Sequence, residues 1–87
     1  MNFNFISDAG HGWLEVNTLE YPEATQFGTG YGYVNGSKIY LEEDVEAPLF
    51  LEFLKSKDIK FSITEKNYDN WHGRMYAKNA RVYVSGQ

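Results

Sequence analysis

The densest run of chemically capable side chains is Asp8-Ala9-Gly10-His11-Gly12-Trp13, which brings a carboxylate, an imidazole and an indole into one short stretch. Such a loop can hold a ligand's polar group on Asp8 and His11 while Trp13 stacks on its flat part, the glycines letting the backbone approach closely. The same residues also have a structural account, in which the glycines make a turn, Asp8 bonds neighbouring amides and Trp13 fills the core. Phosphate cradling would want the glycines ahead of a helix, whereas here a strand pattern follows them. His11 and His72 are the only histidines, and neither is accompanied by a nucleophile and an orienting acid at a telling spacing. No catalytic residue is therefore assigned, and the chain reads as a binding protein rather than an enzyme. Asp8, His11, Glu42, Glu43 and Asp44 would make a metal site only if their two segments met, and acidic turns commonly serve as helix starts. Neither a metal nor a cofactor is expected.

Two further groups could bind. The segment Tyr31-Gly32-Tyr33-Val34-Asn35-Gly36-Ser37-Lys38-Ile39-Tyr40-Leu41 carries an Asn-Gly pair of the kind that closes a two-residue hairpin. With Asn35 and Gly36 as its loop, Tyr33 faces Lys38 and Tyr31 faces Tyr40. One face then holds Val34, Ile39 and Leu41 and belongs to the core; the other holds Tyr31, Tyr33 and Tyr40, flanked by the acidic Glu42-Glu43-Asp44. Exposed tyrosines offer stiff contact area with a hydrogen-bonding tip, although cross-strand aromatic pairs also stabilise hairpins without binding anything. Near the other end, Trp71, His72 and Arg74 form a second surface on which a base or a phosphate could be clamped.

These residues must be positioned by a small scaffold. With 87 residues the chain has room for one core, so residues 1–87 are read as a single domain. Seven Tyr, six Phe and two Trp exceed what so small a core needs, and the surplus favours a binding surface. The absence of Cys removes disulfides and thiolate metal sites and suits a reducing compartment, so a cytoplasmic location is expected. The first residues lack a basic, apolar leader pattern, and the apolar run from Ala47 to Leu51 is too short to span a bilayer. A net charge of −4 with two Arg argues against direct nucleic-acid binding, which needs clustered cations, and is more compatible with a basic partner than an acidic one.

Periodicity supplies the elements. Alternation around Phe3 and Phe5 and around Trp13 and Val16 predicts two strands joined by a loop over residues 7–12, followed by the hairpin. Residues 18–29 fit neither period, with a short helical turn and an irregular loop both open. Val45, Leu49, Phe50, Phe53 and Leu54 recur at helical spacing and predict the one main helix, started either by Asp44 as N-cap or near Ala47 with Pro48 in its first position. In either case Glu46 is expected in solvent. Phe61 with Ile63 and Val82 with Val84 predict two more strands, and the stretch from Asn67 to Gly73 reads as a polar, aromatic connection. The fold class is α+β: a small antiparallel sheet of about four to six strands with one main amphipathic helix packed on one face.

The run Ile6-Ser7-Asp8-Ala9-Gly10-His11-Gly12-Trp13-Leu14-Glu15-Val16 resembles the opening of a family of small phage and plasmid proteins that begin ISDPGHGWLEV. The hairpin followed by Tyr40-Leu41-Glu42-Glu43-Asp44 and, after a spacer, Phe50-Leu51 is similar to that family's YLEED segment and the apolar helix behind it. Together these cover roughly the first two-thirds of the chain; Ala9 stands where the family has Pro, and the chain differs from Asn67 onward. The resemblance implies a phage or mobile-element origin and an accessory role; by analogy with small phage accessory proteins in general, which often bind and block a host defence component, an inhibitor is expected. The expected function is thus inhibition of a host protein by surface occlusion, in the host cytoplasm, through Tyr31, Tyr33, Tyr40, Glu42, Glu43 and Asp44. The alternative is binding of a nucleotide-like small ligand, in an oligomer, through Asp8, His11, Trp13, Trp71 and Arg74, and a small enzyme using His11 with Asp8 ranks below both.

Overall fold

A computed structural model describes residues 1–79; the expected strand around Val82 and Val84 lies outside them. Strands β1 (Asn2–Asp8) and β2 (His11–Asn17) pair antiparallel across the turn at Ala9 and Gly10, where Gly10 takes a φ of +97°. A 3-10 turn at Pro22–Phe27 fills part of the stretch that fits neither period. The chain continues through β3 (Tyr33–Asn35), β4 (Lys38–Glu42), helix α1 (Glu46–Ser56) and β5 (Ser62–Asn67), then a second 3-10 turn (His72–Met75) and the short β6 (Ala77–Lys78). The strands form one six-stranded sheet in the order β5-β1-β2-β4-β3-β6, with α1 packed on one face, an α+β architecture.

The sheet is mixed rather than antiparallel throughout, because β5 runs parallel to β1, from Asn2 opposite Ser62 to Ser7 opposite Asn67. An antiparallel partner follows directly through a tight turn, but β5 reaches β1 only after the whole hairpin and helix have been laid down, so either direction was open to it. The hairpin loop is also displaced by one residue from the expected position. Asn35 pairs with Lys38, and Gly36-Ser37 forms the turn with a positive φ at Gly36 alone, the II′ pattern rather than I′. This register sets Tyr33 opposite Tyr40 and Val34 opposite Ile39, like against like, where the expected one left Val34 facing Ser37. Since the slip keeps the pleat in phase, each residue still lies on its expected face.

On the helix face, Phe3, Leu14, Val16, Ile39, Leu41, Ala47, Phe50 and Leu54 form a closed apolar cluster, with Phe50 in edge contact with the rings of Phe3, Tyr21 and Phe27. The helix begins at Glu46, with Val45 in the capping position and Pro48 third, where a missing N–H leaves no intrahelical bond unmade. Asp44 supplies no side-chain cap, and neither does Val45; Glu42 accepts the N–H groups of Asp44 and Val45 and so fixes the turn that leads into the helix. At the other end Asp58 holds φ +60°, and the bonds Asp58 N–H to Lys55 O and Ile59 N–H to Leu54 O close a Schellman turn.

Glu46 is not in solvent but fully buried. Its carboxyl oxygens accept the N–H and hydroxyl of Thr29, the N–H of Glu42 and the Nδ2–H of Asn79. Asn79 in turn accepts the N–H of Gly30 and donates its own N–H to the Gly32 carbonyl. Gly32 is required here by space: a Cβ would stand 2.0 Å from the Tyr40 carbonyl oxygen and 2.5 Å from Glu46 Oε1.

Candidate functional site

The opposite face of the sheet carries Ile6, Trp13, Glu15, Tyr33, Tyr40 and Glu42, and it is covered by the segment that follows β5. Tyr68 N–H donates to the Ser7 carbonyl, and the chain then crosses the sheet to β6, which pairs with β3. Trp71 is the centre of this cover, 2% exposed, with its ring centroid 4.6 Å from Trp13, 4.8 Å from Tyr40 and 5.9 Å from Tyr33. Tyr76 closes the cluster against Tyr40. Two indoles and three phenols thus make a second core on the face expected to be an open tyrosine surface.

That expectation fails for Tyr33 and Tyr40, which are buried, and holds for Tyr31, which is 64% exposed. The physical reason is the aromatic surplus: Trp71 and Tyr76 come from a stretch with no helical or strand period, so nothing in the pattern marked them as a lid. Tyr40 donates its hydroxyl to Glu15 Oε2 at 3.0 Å. Burial first, and then the bond to Glu15 and its negative charge, push this phenol well above the ordinary tyrosine range.

The lid is fastened by Asp8. Its carboxylate accepts the backbone N–H of Trp71 at 3.1 Å and takes a two-pronged pair from Arg74, Nε at 3.0 Å and Nη2 at 2.7 Å, while the guanidinium lies 5.1 Å over the Trp13 ring. The Asp8 side chain is 2% exposed and that of Arg74 36%. The Arg74 hydrogen bonds hold the Asp8 carboxyl below its ordinary value of 3.8, more than offsetting the opposing effect of burial, and the Trp71 N–H adds to the lowering. A carboxyl with a depressed folded-state pKa contributes stability that is complete above the unfolded value and disappears as pH falls through the folded one. The wild-type urea midpoint is therefore expected to carry a drop below about pH 4 that Asp8→Asn lacks, while at pH 7 the Asn variant is the less stable. Equal pH slopes for the two proteins would show that the pair does not hold the lid.

The Asp8–Trp13 loop and the Trp71–Arg74 segment, separate in sequence, therefore meet, and the hairpin joins them. A cleft of about 480 Å³ is lined by His11, Trp13 and Arg74, by Tyr31, Tyr33 and Lys78, and by Glu42, Asp44 and Val45. His11 is exposed and stacks on Trp13, with ring centroids 6.0 Å apart and planes 17° from parallel. Lys78 sits 4.4 Å over the Tyr33 ring and donates to the Tyr31 carbonyl at 3.3 Å. Several of these charges are already spoken for: Arg74 by Asp8, and both Glu42 oxygens by backbone amides. Asp44 and Lys78 stand in no ion pair among the described residues, and they and His11 carry the cleft's available polar chemistry.

Asp8 and Trp71 act behind the cleft, as the parts that fix Arg74 and Trp13. Glu43 lies elsewhere, in a groove on the helix face. Among the described residues no group of three or more His, Asp and Glu side chains converges on a point that would hold a metal. Lys78 and Val45 were not foreseen, since a two-residue strand shows no period and Val45 is in phase with the helix core. No helix among the described residues is long and apolar enough to cross a membrane. No protein-family model, curated protein or solved structure matches the chain.

Proposed function

We propose that the chain is a phage-type accessory protein, not an enzyme, that inhibits a host protein in the host cytoplasm by occupying part of its surface. The observation that carries the reading is Tyr31, two-thirds exposed at the mouth of a preformed aromatic cleft, beside the partly exposed Val45 and Asp44, which is in no ion pair among the described residues. An aromatic anchor with an adjoining apolar contact and a charge on the rim is the usual make-up of a small protein-binding hot spot. Trp13, Tyr33 and Trp71, held rigid by packing, give that anchor a stiff base and lower the ordering cost of binding. The phage assignment rests on the likeness of residues 6–16 and 40–51 to the family described above.

The test is retention of a bacterial host protein by the tagged chain, compared with the double variant Tyr31→Ala, Asp44→Lys. Both residues are exposed, so the variant is expected to melt within a few degrees of the wild type. Loss of the anchor is expected to weaken retention by about tenfold or more. Equal retention by a folded double variant excludes this surface as the binding site.

A second reading is supported by Lys78 and His11. An ammonium over Tyr33 that stands in no ion pair among the described residues and an imidazole stacked on Trp13, in one cleft, suit a ligand with an anionic group and a flat ring, such as a nucleotide, with a second copy completing the enclosure. Mass spectrometry of material released from the purified protein distinguishes the two: a bound nucleotide lost in Lys78→Ala favours the ligand reading.

A further inference from the structure

A separate surface lies on the helix side of the sheet, at the β5 edge. All six residues of β5 are exposed, and its outer side is unpaired among the described residues. The inward bonds fix which groups face outward. Ser62 N–H donates to the Met1 carbonyl and Tyr68 N–H to the Ser7 carbonyl, so the even-numbered residues of this segment point their backbone at β1. In a strand the backbone groups alternate sides, so Ile63, Glu65 and Asn67 present N–H and C=O to solvent, a free hydrogen-bonding edge.

The side chains of Ile63 and Glu65 lie on the helix face, in register with Phe3 and Phe5. The helix does not cover this part of the sheet. Between it and β5 runs a groove of about 350 Å³, floored by Phe5 and Leu14 and walled by Pro48, Leu51 and Ile63, with the carboxylates of Glu43 and Glu65 on it. Ile63 is 45% exposed, and neither glutamate is in an ion pair among the described residues.

We infer that this edge and groove take an extended segment of a protein partner, added as a seventh strand beside β5, with apolar and basic side chains alternating into the groove. The geometry is that of strand addition: the edge supplies backbone hydrogen bonds, and residues opposite Ile63 and Glu65 turn their side chains to the helix face. An apolar residue there covers Ile63, Phe5 and Leu51, and a Lys or Arg meets Glu65 or Glu43. Charge decides against a second copy of this chain. Antiparallel β5-to-β5 pairing that keeps the helices on one side would put four carboxylates from two Glu43 and two Glu65 along one trough, between protomers of net charge −4 each. The surface is independent of the cleft on the opposite face.

The test uses a capped heptapeptide, Thr-Lys-Thr-Ile-Thr-Lys-Thr, and its counterpart with Glu in place of both Lys, titrated into isotope-labelled full-length protein by NMR. The expected result is that the lysine peptide shifts the amides of Ile63, Glu65 and Asn67 and binds about tenfold more tightly than the glutamate peptide. In Glu43→Lys, Glu65→Lys the order of the two peptides is expected to reverse; both sites are at the surface, and a folded spectrum serves as the control. Absence of β5 shifts at millimolar peptide, shifts confined to His11 and Trp13, or equal affinity for both peptides would overturn the proposal. So would concentration-dependent broadening of the β5 amides without peptide, which assigns the edge to self-association. None of these outcomes depends on the Tyr31 surface.

Discussion

Trp71→Ala is expected to cost about 3–5 kcal/mol, as removal of a fully packed indole generally does, and to release residues 68–79 without dissolving the helix-side core. The side chain touches Trp13, Tyr33, Tyr40 and Tyr76 at once, so its loss leaves a cavity bounded by rings that cannot collapse onto one another without leaving the sheet. For a domain whose whole stability is of the order of 5–15 kcal/mol, that is a large share. The measurement is a urea titration followed by far-UV circular dichroism, paired with amide exchange. The midpoint is expected to fall sharply, and the amides of Tyr68, Tyr76 and Asn79 are expected to exchange fast. Those of β2 and β4, which the Phe50 cluster also supports, remain protected relative to them. Uniform exchange across both groups would mean that the two faces fold as one unit.

The second large effect is at Glu46. In Glu46→Ala the N–H groups of Thr29 and Glu42 and the buried amide of Asn79 lose a fully buried acceptor at once, with an expected cost of about 3 kcal/mol or more. A cap residue on a helix surface would cost about 1 kcal/mol, so the size of the loss separates a buried hub from an ordinary helix start. Exchange of the Thr29, Gly30 and Glu42 amides is expected to rise together, because Gly30 depends on Asn79, which depends on Glu46. A loss near 1 kcal/mol with Gly30 unchanged would reduce Glu46 to a cap.

What could be read from the sequence follows the range of the interactions. The strand pair around Phe5 and Trp13, the hairpin and the helix from Glu46 to Ser56 are set by local alternation, turn residues and helical spacing, and each occurs close to where those signals put it. The faces of the hairpin were legible too, since a slip of the loop from Asn35-Gly36 to Gly36-Ser37 does not change the pleat. The parallel pairing of β5 with β1, the burial of Tyr33 and Tyr40, and the Glu46–Asn79 link were not. Each joins residues far apart in the chain, at a separation of 33 between Glu46 and Asn79 and of 66 between Asp8 and Arg74, and a hydrophobic period carries no record of such a partner. Candidate-site residues were recognisable one by one as types, with Asp8, His11, Trp13, Trp71 and Arg74 all found at or directly behind the cleft. Which of them would be consumed by structure was not: Asp8 and Arg74 look like a ligand's partners until each is seen to be the other's.

The pairing of Trp13 with Trp71 also gives the molecule an optical asymmetry. The chain has two tryptophans, and they lie 4.6 Å apart on the same face, close enough for their transitions to couple. Light at the red edge of the protein's absorption is therefore taken up entirely beside the cleft, and the helix face is dark there. Any occupant of the cleft meets the chromophore directly, whereas a strand seated on β5 does not, so the two surfaces can be told apart without attaching a label to either.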